Sequence, residues 1–254
     1  MSEKNPQQGM EATKNKKQKS AVKHAHYGHR QRLKKKYLQQ GIESLEDHEV
    51  LEMLLYFAIP YKDTNETAHQ LLERYGSLGD VLEADYWDLQ QISGIGENSA
   101  FLMTFIPQLA RRYFKDRWKE KPVFLNTVEM MEYVKTLFVG RSKETFMMLC
   151  LNSKNQVRHE VCLGEGTIGE VIVFPSVVVE HALRHRARSV IFAHNHPGGN
   201  LKASASDIDL TKRCMMALKT VNIPVLDHII VSGEEACSFV EKGLLQAIKN
   251  GLEK

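Results

Sequence analysis

One short segment constrains this chain more than any other. His194-Asn195-His196-Pro197 closes the apolar run Ser189-Val190-Ile191-Phe192-Ala193. A short run rich in β-branched and aromatic residues reads as a buried strand. Side chains alternate along a strand, so His194 and His196 share one face and Asn195 takes the other. Proline cannot donate to a strand ladder, so Pro197 leaves both imidazoles at the strand's end. Ser204 follows eight residues after His196, and Asp207 three residues later. Taken separately, Ser204 and Asp207 read as a helix capping box, and the histidines as a pair satisfied at a strand end. Taken together, two neutral nitrogens and a carboxylate are the donor set of a catalytic zinc ion with its fourth position open to water. The backbone donors of a first helical turn can also orient Asp207 as a ligand.

The surrounding pattern is that of an α+β fold. Thr127 to Val139 reads as a helix with Val128, Met131, Val134, Leu137 and Phe138 inward. Thr145–Leu151 and Val157–Leu163 read as strands joined by a turn at Asn152 to Asn155. Helices are expected from Pro175 to Arg186 and from Ser206 to Val221, a strand from Pro224 to Ser232, and a helix from Glu234 to Lys249. Helices mixed with mainly hairpin-type strands indicate one sheet core.

The front of the chain is different. Eleven Lys and Arg residues precede residue 41 against Glu3 and Glu11, a net of +9, which leaves −6 for the rest. A basic arm on an acidic body suits contact with nucleic acid, and equally a solubilising tail. Residues 1–26 lack apolar periodicity and are expected to be a disordered basic tail. His24, His26 and His29 fall in or beside that arm, where basic neighbours oppose a cation.

Helices follow. Ser44 and Asp47 suggest a capping pair for a helix with Val50, Leu51, Leu54, Leu55 and Phe57 on its apolar face, ended by Pro60. Asp63 or Thr64 can cap the next, with Ala68, Leu71 and Leu72 inward and Gly76 stopping it. Gly94-Ile95-Gly96 then turns the chain into a helix carrying Ala100, Phe101, Met103, Phe105 and Leu109, with Pro107 a point for a kink or break. Such a turn presents backbone N–H groups at a helix start, where a phosphate can sit, although many such turns serve only packing. Lys115 to Pro122 reads as a linker. The expected domains are a helical one at 27–118 and a second at 123–254.

No stretch of about 18 apolar residues is present, and the polar start lacks a secretory signal, so no membrane span is expected. Cys150, Cys162, Cys214 and Cys237 are scattered beside apolar runs, as buried thiols of a cytoplasmic protein would be.

The histidine, serine and aspartate spacing is similar to the JAMM/MPN+ metalloprotease motif. Residues 27 to 250 resemble the bacterial RadC family, also called UPF0758. The matching stretches are Gly28-His29-Arg30, Asp47 to Glu52, Pro60 with Asp63-Thr64-Asn65, Gly94-Ile95-Gly96, His194 to Pro197, and Asp227-His228-Ile229-Ile230. The turn at Gly94-Ile95-Gly96 resembles the helix-hairpin-helix motif, which binds DNA backbone without sequence preference, and the N-terminal domain is expected to be of that kind. The RadC resemblance implies a JAMM/MPN domain with a mixed sheet flanked by helices. It gives His194, His196 and Asp207 as ligands of Zn2+, Ser204 as an oxyanion donor and Glu144 as catalytic base, with Glu160, Glu165 and Glu170 nearby. Gly94, Ile95 and Gly96 become the nucleic-acid contact. Gly198-Gly199 stands where the family often has Ser-Gly, and Ala203 where it often has Pro, which bears on loop rigidity rather than on metal binding. His228 reads as a structural residue behind the ligands, and His181 and His185 as packing residues.

The implied activity is hydrolysis of a peptide or isopeptide by zinc-activated water. The alternatives are a DNA-processing accessory whose metal is structural or acts on phosphodiesters, and a non-catalytic interaction protein.

Overall fold

The computed structural model describes residues 28–60, 62–118, 123–124, 126–166 and 171–252. The expected basic tail with His24 and His26, the end of the linker, and Glu170 lie outside the described residues. The chain divides into two compact units between Pro107 and Gln108.

The first unit is helical. Its elements are α1 (28–40), α2 (Asp47–Ala58), α3 (Asn65–Tyr75), α4 (Leu78–Glu83), α5 (Tyr86–Leu89) and the start of α6 (Glu97–Arg117). Leu51, Leu55, Ala68, Leu71, Val81, Leu89, Ile95 and Met103 form its core. The capping of α2 differs from expectation. Ser44 closes a short 3-10 turn and donates its hydroxyl to the Gly41 carbonyl, so Glu46 caps the helix in a reciprocal box with Glu49. Phe57 is 83% exposed, because Leu51 and Leu55 define the inward face and Phe57 lies round the helix from them. Glu52 is fully buried, and His29, Tyr56 and Asn65 all bond its carboxylate. Arg30 bonds the carbonyls of Ile59 and Lys62 beyond the end of α2. Several of the matching stretches therefore meet at one buried polar node.

Helix α6 runs unbroken through Pro107 and extends to Arg117, into the expected linker. Ala100, Met103 and Pro107 form its buried row, while Phe101, Phe105 and Leu109 stay exposed. Pro107 lacks the N–H for one i→i−4 bond but does not end the helix.

The second unit holds a five-stranded sheet in the order β2-β1-β3-β4-β5. The strands are β1 (Glu144–Leu151), β2 (Val157–Gly166), β3 (Ser189–Asn195), β4 (Val225–Ser232) and β5 (Glu235–Ser238). All neighbours are antiparallel except β3 and β4, which are parallel and joined through α9 (Ala205–Lys219). One sheet face, with Met147, Leu149, Ile191, Ala193 and Ile229, packs on α7 (Thr127–Phe138). The other, with Phe146, Met148, Val190, Phe192 and Ile230, packs on α8 (Pro175–Arg184), α9 and α10 (Leu244–Leu252). The fold is thus α+β: N-terminal helices and a mixed sheet flanked by helices.

Three expectations are corrected in this unit. Val128 is exposed, and Met130 and Tyr133 face the core instead. The segment from Glu234 is not one helix. Gly233 takes a positive φ, the chain turns back as β5, and helix resumes only after Gly243. Of the four cysteines, all free, Cys150 and Cys214 are buried, but Cys162 is exposed and Cys237 half-buried. Burial pushes the Cys150 and Cys214 thiols up to about 11 and about 12. Cys162 faces outward on β2, an edge strand.

Candidate metal centre

Strand β3 is buried along its whole length, which fixes where His194 and Asn195 point. His194 lies on the face covered by α9, and His196 follows directly after the strand. The backbone of His196 is held by β4: its N–H donates to the Val231 carbonyl at 2.8 Å, and its own carbonyl accepts from the Ser232 hydroxyl at 2.8 Å. Asp207 occupies the first turn of α9 and is 8% exposed. Ser204 caps that helix, with the Ser204 N–H and hydroxyl each 2.7 Å from Asp207 Oδ2. Both readings of Ser204 and Asp207 therefore meet, since the capping box itself aims the carboxylate at the histidines.

His194 Nε2 is 2.9 Å from His196 Nε2 and 3.2 Å from Asp207 Oδ1, and His196 Nε2 is 3.6 Å from Asp207 Oδ2. Ligands about 2.0–2.1 Å from a tetrahedral zinc ion stand roughly 3.3 Å apart, so this triangle has the right size. The chemistry also fits. His196 Nδ1 is 2.5 Å from the Asn200 carbonyl, which can only accept, so the proton sits on Nδ1 and the lone pair on Nε2. That lone pair points at His194 Nε2 beside a carboxylate, an arrangement that a shared cation or proton relieves. Among the described residues this is the one group of His, Cys, Asp and Glu side chains close enough to hold a metal ion. Burial raises the Asp207 pKa, but the neighbouring His194, His196 and Ser204 side chains favour its charged form, outweigh burial and hold the carboxyl far below its usual range. The Asp207 carboxylate, an acceptor for the protonated form of His196, raises its pKa against the effect of burial, and the nearby Glu144 charge adds to the rise.

Glu144, His196, Ser204 and Asp207 line a single cavity of about 550 Å³. Val171, Ile172, Val173 and Phe174 give it one apolar wall. The other glutamates are engaged elsewhere: Glu160 bonds Lys115 and Tyr133, and Glu165 pairs with Arg141 at 3.3 Å. The role of Asn195 escapes the sequence. Its Oδ1 accepts from the Thr145 N–H at 2.8 Å, and its Nδ2 donates to the Arg141 and Lys143 carbonyls at 3.1 and 3.0 Å. It therefore grips the backbone on both sides of Glu144, and only its opposite facing to the histidines hints at this.

His228 is fully buried, with Nε2 2.8 Å from His194 Nδ1, and burial holds its imidazole well below the ordinary pKa. The preceding Asp227 is pushed up by burial, while bonds from Ser238, Val240 and His228 act against the rise. His181 and His185 lie at the end of α8, where His185 stacks on His159 with ring centres 4.1 Å apart.

In the first unit, Gly94 takes a φ of 91°, and an added Cβ would stand 2.9 Å from Thr67 Oγ1, so glycine is required there. Ile95 is buried in the core, and its N–H bonds the Ile92 carbonyl. The Gly96 carbonyl accepts from Ser99 and Ala100 at the start of α6.

The RadC-like JAB domain family matches residues 124–244, and the UPF0758 N-terminal family matches residues 24–101. A UPF0758 protein of Fusobacterium nucleatum subsp. nucleatum is 32% identical over 225 residues, covering 86% of this chain and 97% of the relative. A UPF0758 protein of Saccharophagus degradans is 35% identical over 213 residues, covering 84% and 95% respectively.

Proposed function

The chain belongs to the UPF0758 family, with a RadC-like JAB domain at its C-terminal end, and from that premise we propose that it is a zinc-dependent hydrolase of peptide or isopeptide bonds. One observation carries the reading: two imidazole nitrogens and a carboxylate converge at the edge of a cavity that His196, Asp207 and Glu144 line. His194, His196 and Asp207 would hold the ion. When bound, Zn2+ supplies a Lewis acid that acidifies water and polarises a carbonyl. Glu144 takes the proton from the attacking water and delivers it to the leaving amine. Asn195 keeps Glu144 in place through the backbone on either side of it. Ser204 donates to the developing oxyanion, which requires its hydroxyl to rotate away from Asp207 Oδ2 toward the cavity. The apolar wall at Val171 to Phe174 supports a peptide substrate rather than a nucleotide. The two carboxylates at this cavity, Glu144 and Asp207, supply fewer anionic ligands than a pair of metals for phosphodiester cleavage needs. A cytoplasmic setting and contact with DNA through the N-terminal arm and the Gly94 to Gly96 turn belong to the same proposal.

The test is a zinc-loaded chain profiled against a peptide and isopeptide library. Wild type should cleave, a chelator should abolish cleavage, and Glu144→Gln should lose roughly 100-fold or more in rate, the lower end for a general base. Cleavage of DNA rather than peptide, lost in the same variant, would favour the phosphodiester alternative.

A further inference from the structure

Behind the candidate ligands runs a chain of hydrogen bonds whose direction can be fixed by elimination. It joins the Asp207 backbone carbonyl, Thr211, His228 and His194, and both middle residues are fully buried. Thr211 Oγ1 is 2.6 Å from the Asp207 carbonyl and 2.7 Å from His228 Nδ1. The carbonyl can only accept, so the single hydroxyl proton is committed to it. The opposite polarity would leave two oxygen lone pairs facing each other at 2.6 Å. Thr211 must then accept from His228, which places the His228 proton on Nδ1. The lone pair on His228 Nε2 faces His194 Nδ1 at 2.8 Å, so His194 donates from Nδ1. Its own lone pair is thereby left on Nε2, the atom that meets His196 and Asp207.

We propose that Thr211 and His228 are positioning residues that hold the His194 proton on Nδ1 and keep its Nε2 lone pair turned toward the metal position. The chain is anchored at both ends in Asp207: its carboxylate stands beside His194 Nε2, and its backbone carbonyl starts the relay that sets the His194 tautomer. The inference rests on the metal-site reading. Thr211→Val removes the hydroxyl that His228 donates to. His228 then carries its proton on Nε2, His194 accepts at Nδ1, and its proton moves to Nε2, where it competes with the ion.

The experiment measures Zn2+ affinity of the full chain by competition with a chelator, alongside proton–nitrogen spectra of the histidine rings in the metal-free protein. Thr211→Val should bind Zn2+ roughly 10- to 100-fold more weakly, the usual effect of removing such a partner. Thr211→Ser, which keeps the hydroxyl, should restore binding. The spectra should show the His194 proton on Nδ1 in wild type and on Nε2 in Thr211→Val. Wild-type affinity in Thr211→Val, with binding lost in a His194→Ala control, overturns the inference and leaves the metal site standing. Unchanged binding in His194→Ala overturns both. A wild-type spectrum with a bare Nδ1 on His194 overturns the inference without reference to any variant.

Discussion

At the scale of the residue, the site is built from side chains that each do two jobs. Ser204 and Asp207 cap α9 and also aim a carboxylate at two imidazoles. Asn195 lies between the histidines in sequence and grips the Glu144 backbone in space. Asp227 is the sharpest case for stability. It is buried and accepts from the His228 N–H at 2.7 Å, the Val240 N–H at 3.0 Å and the Ser238 hydroxyl at 2.5 Å. Asp227→Ala strands buried donors and should cost about 2–4 kcal/mol. Asp227→Asn keeps one acceptor oxygen for the two N–H groups and offers an amide to the Ser238 oxygen, so it should cost about 1 kcal/mol or less. Urea unfolding of the two variants checks the difference, and equal losses would contradict the account.

At the scale of the element, the site was legible where a local pattern carried the information. The strand ending at His194 to Pro197 and the helix capped by Ser204 are both short-range signals, and both lie where the spacing puts them. Long-range facts were not legible. Nothing local sends Glu160 to Lys115 and Tyr133 while Glu144 lines the cavity. The partner of Asn195 lies fifty residues away in sequence. Periodicity also misassigned Phe57 and Val128, because apolar residues recur on the exposed side of these helices as well. β5 was hidden because Glu235 to Ser238 is only four residues long and its hairpin depends on Gly233. Pro107 was a poor guide, since α6 continues through it.

At the scale of the whole molecule, the net charge of +3 conceals a front of +9 and a remainder of −6. No helix among the described residues is long and apolar enough to cross a membrane. The proposed nucleic-acid contact belongs to this scale. The full chain should bind duplex DNA with an affinity that falls steeply between roughly 50 and 200 mM salt, as counterion release requires. Fluorescence anisotropy checks it, and binding that is absent or indifferent to salt contradicts it. Metal analysis of the purified chain tests the metal centre itself. Wild type should hold about one Zn2+ per chain and Asp207→Ala only a trace. The same metal content in both proteins would contradict it.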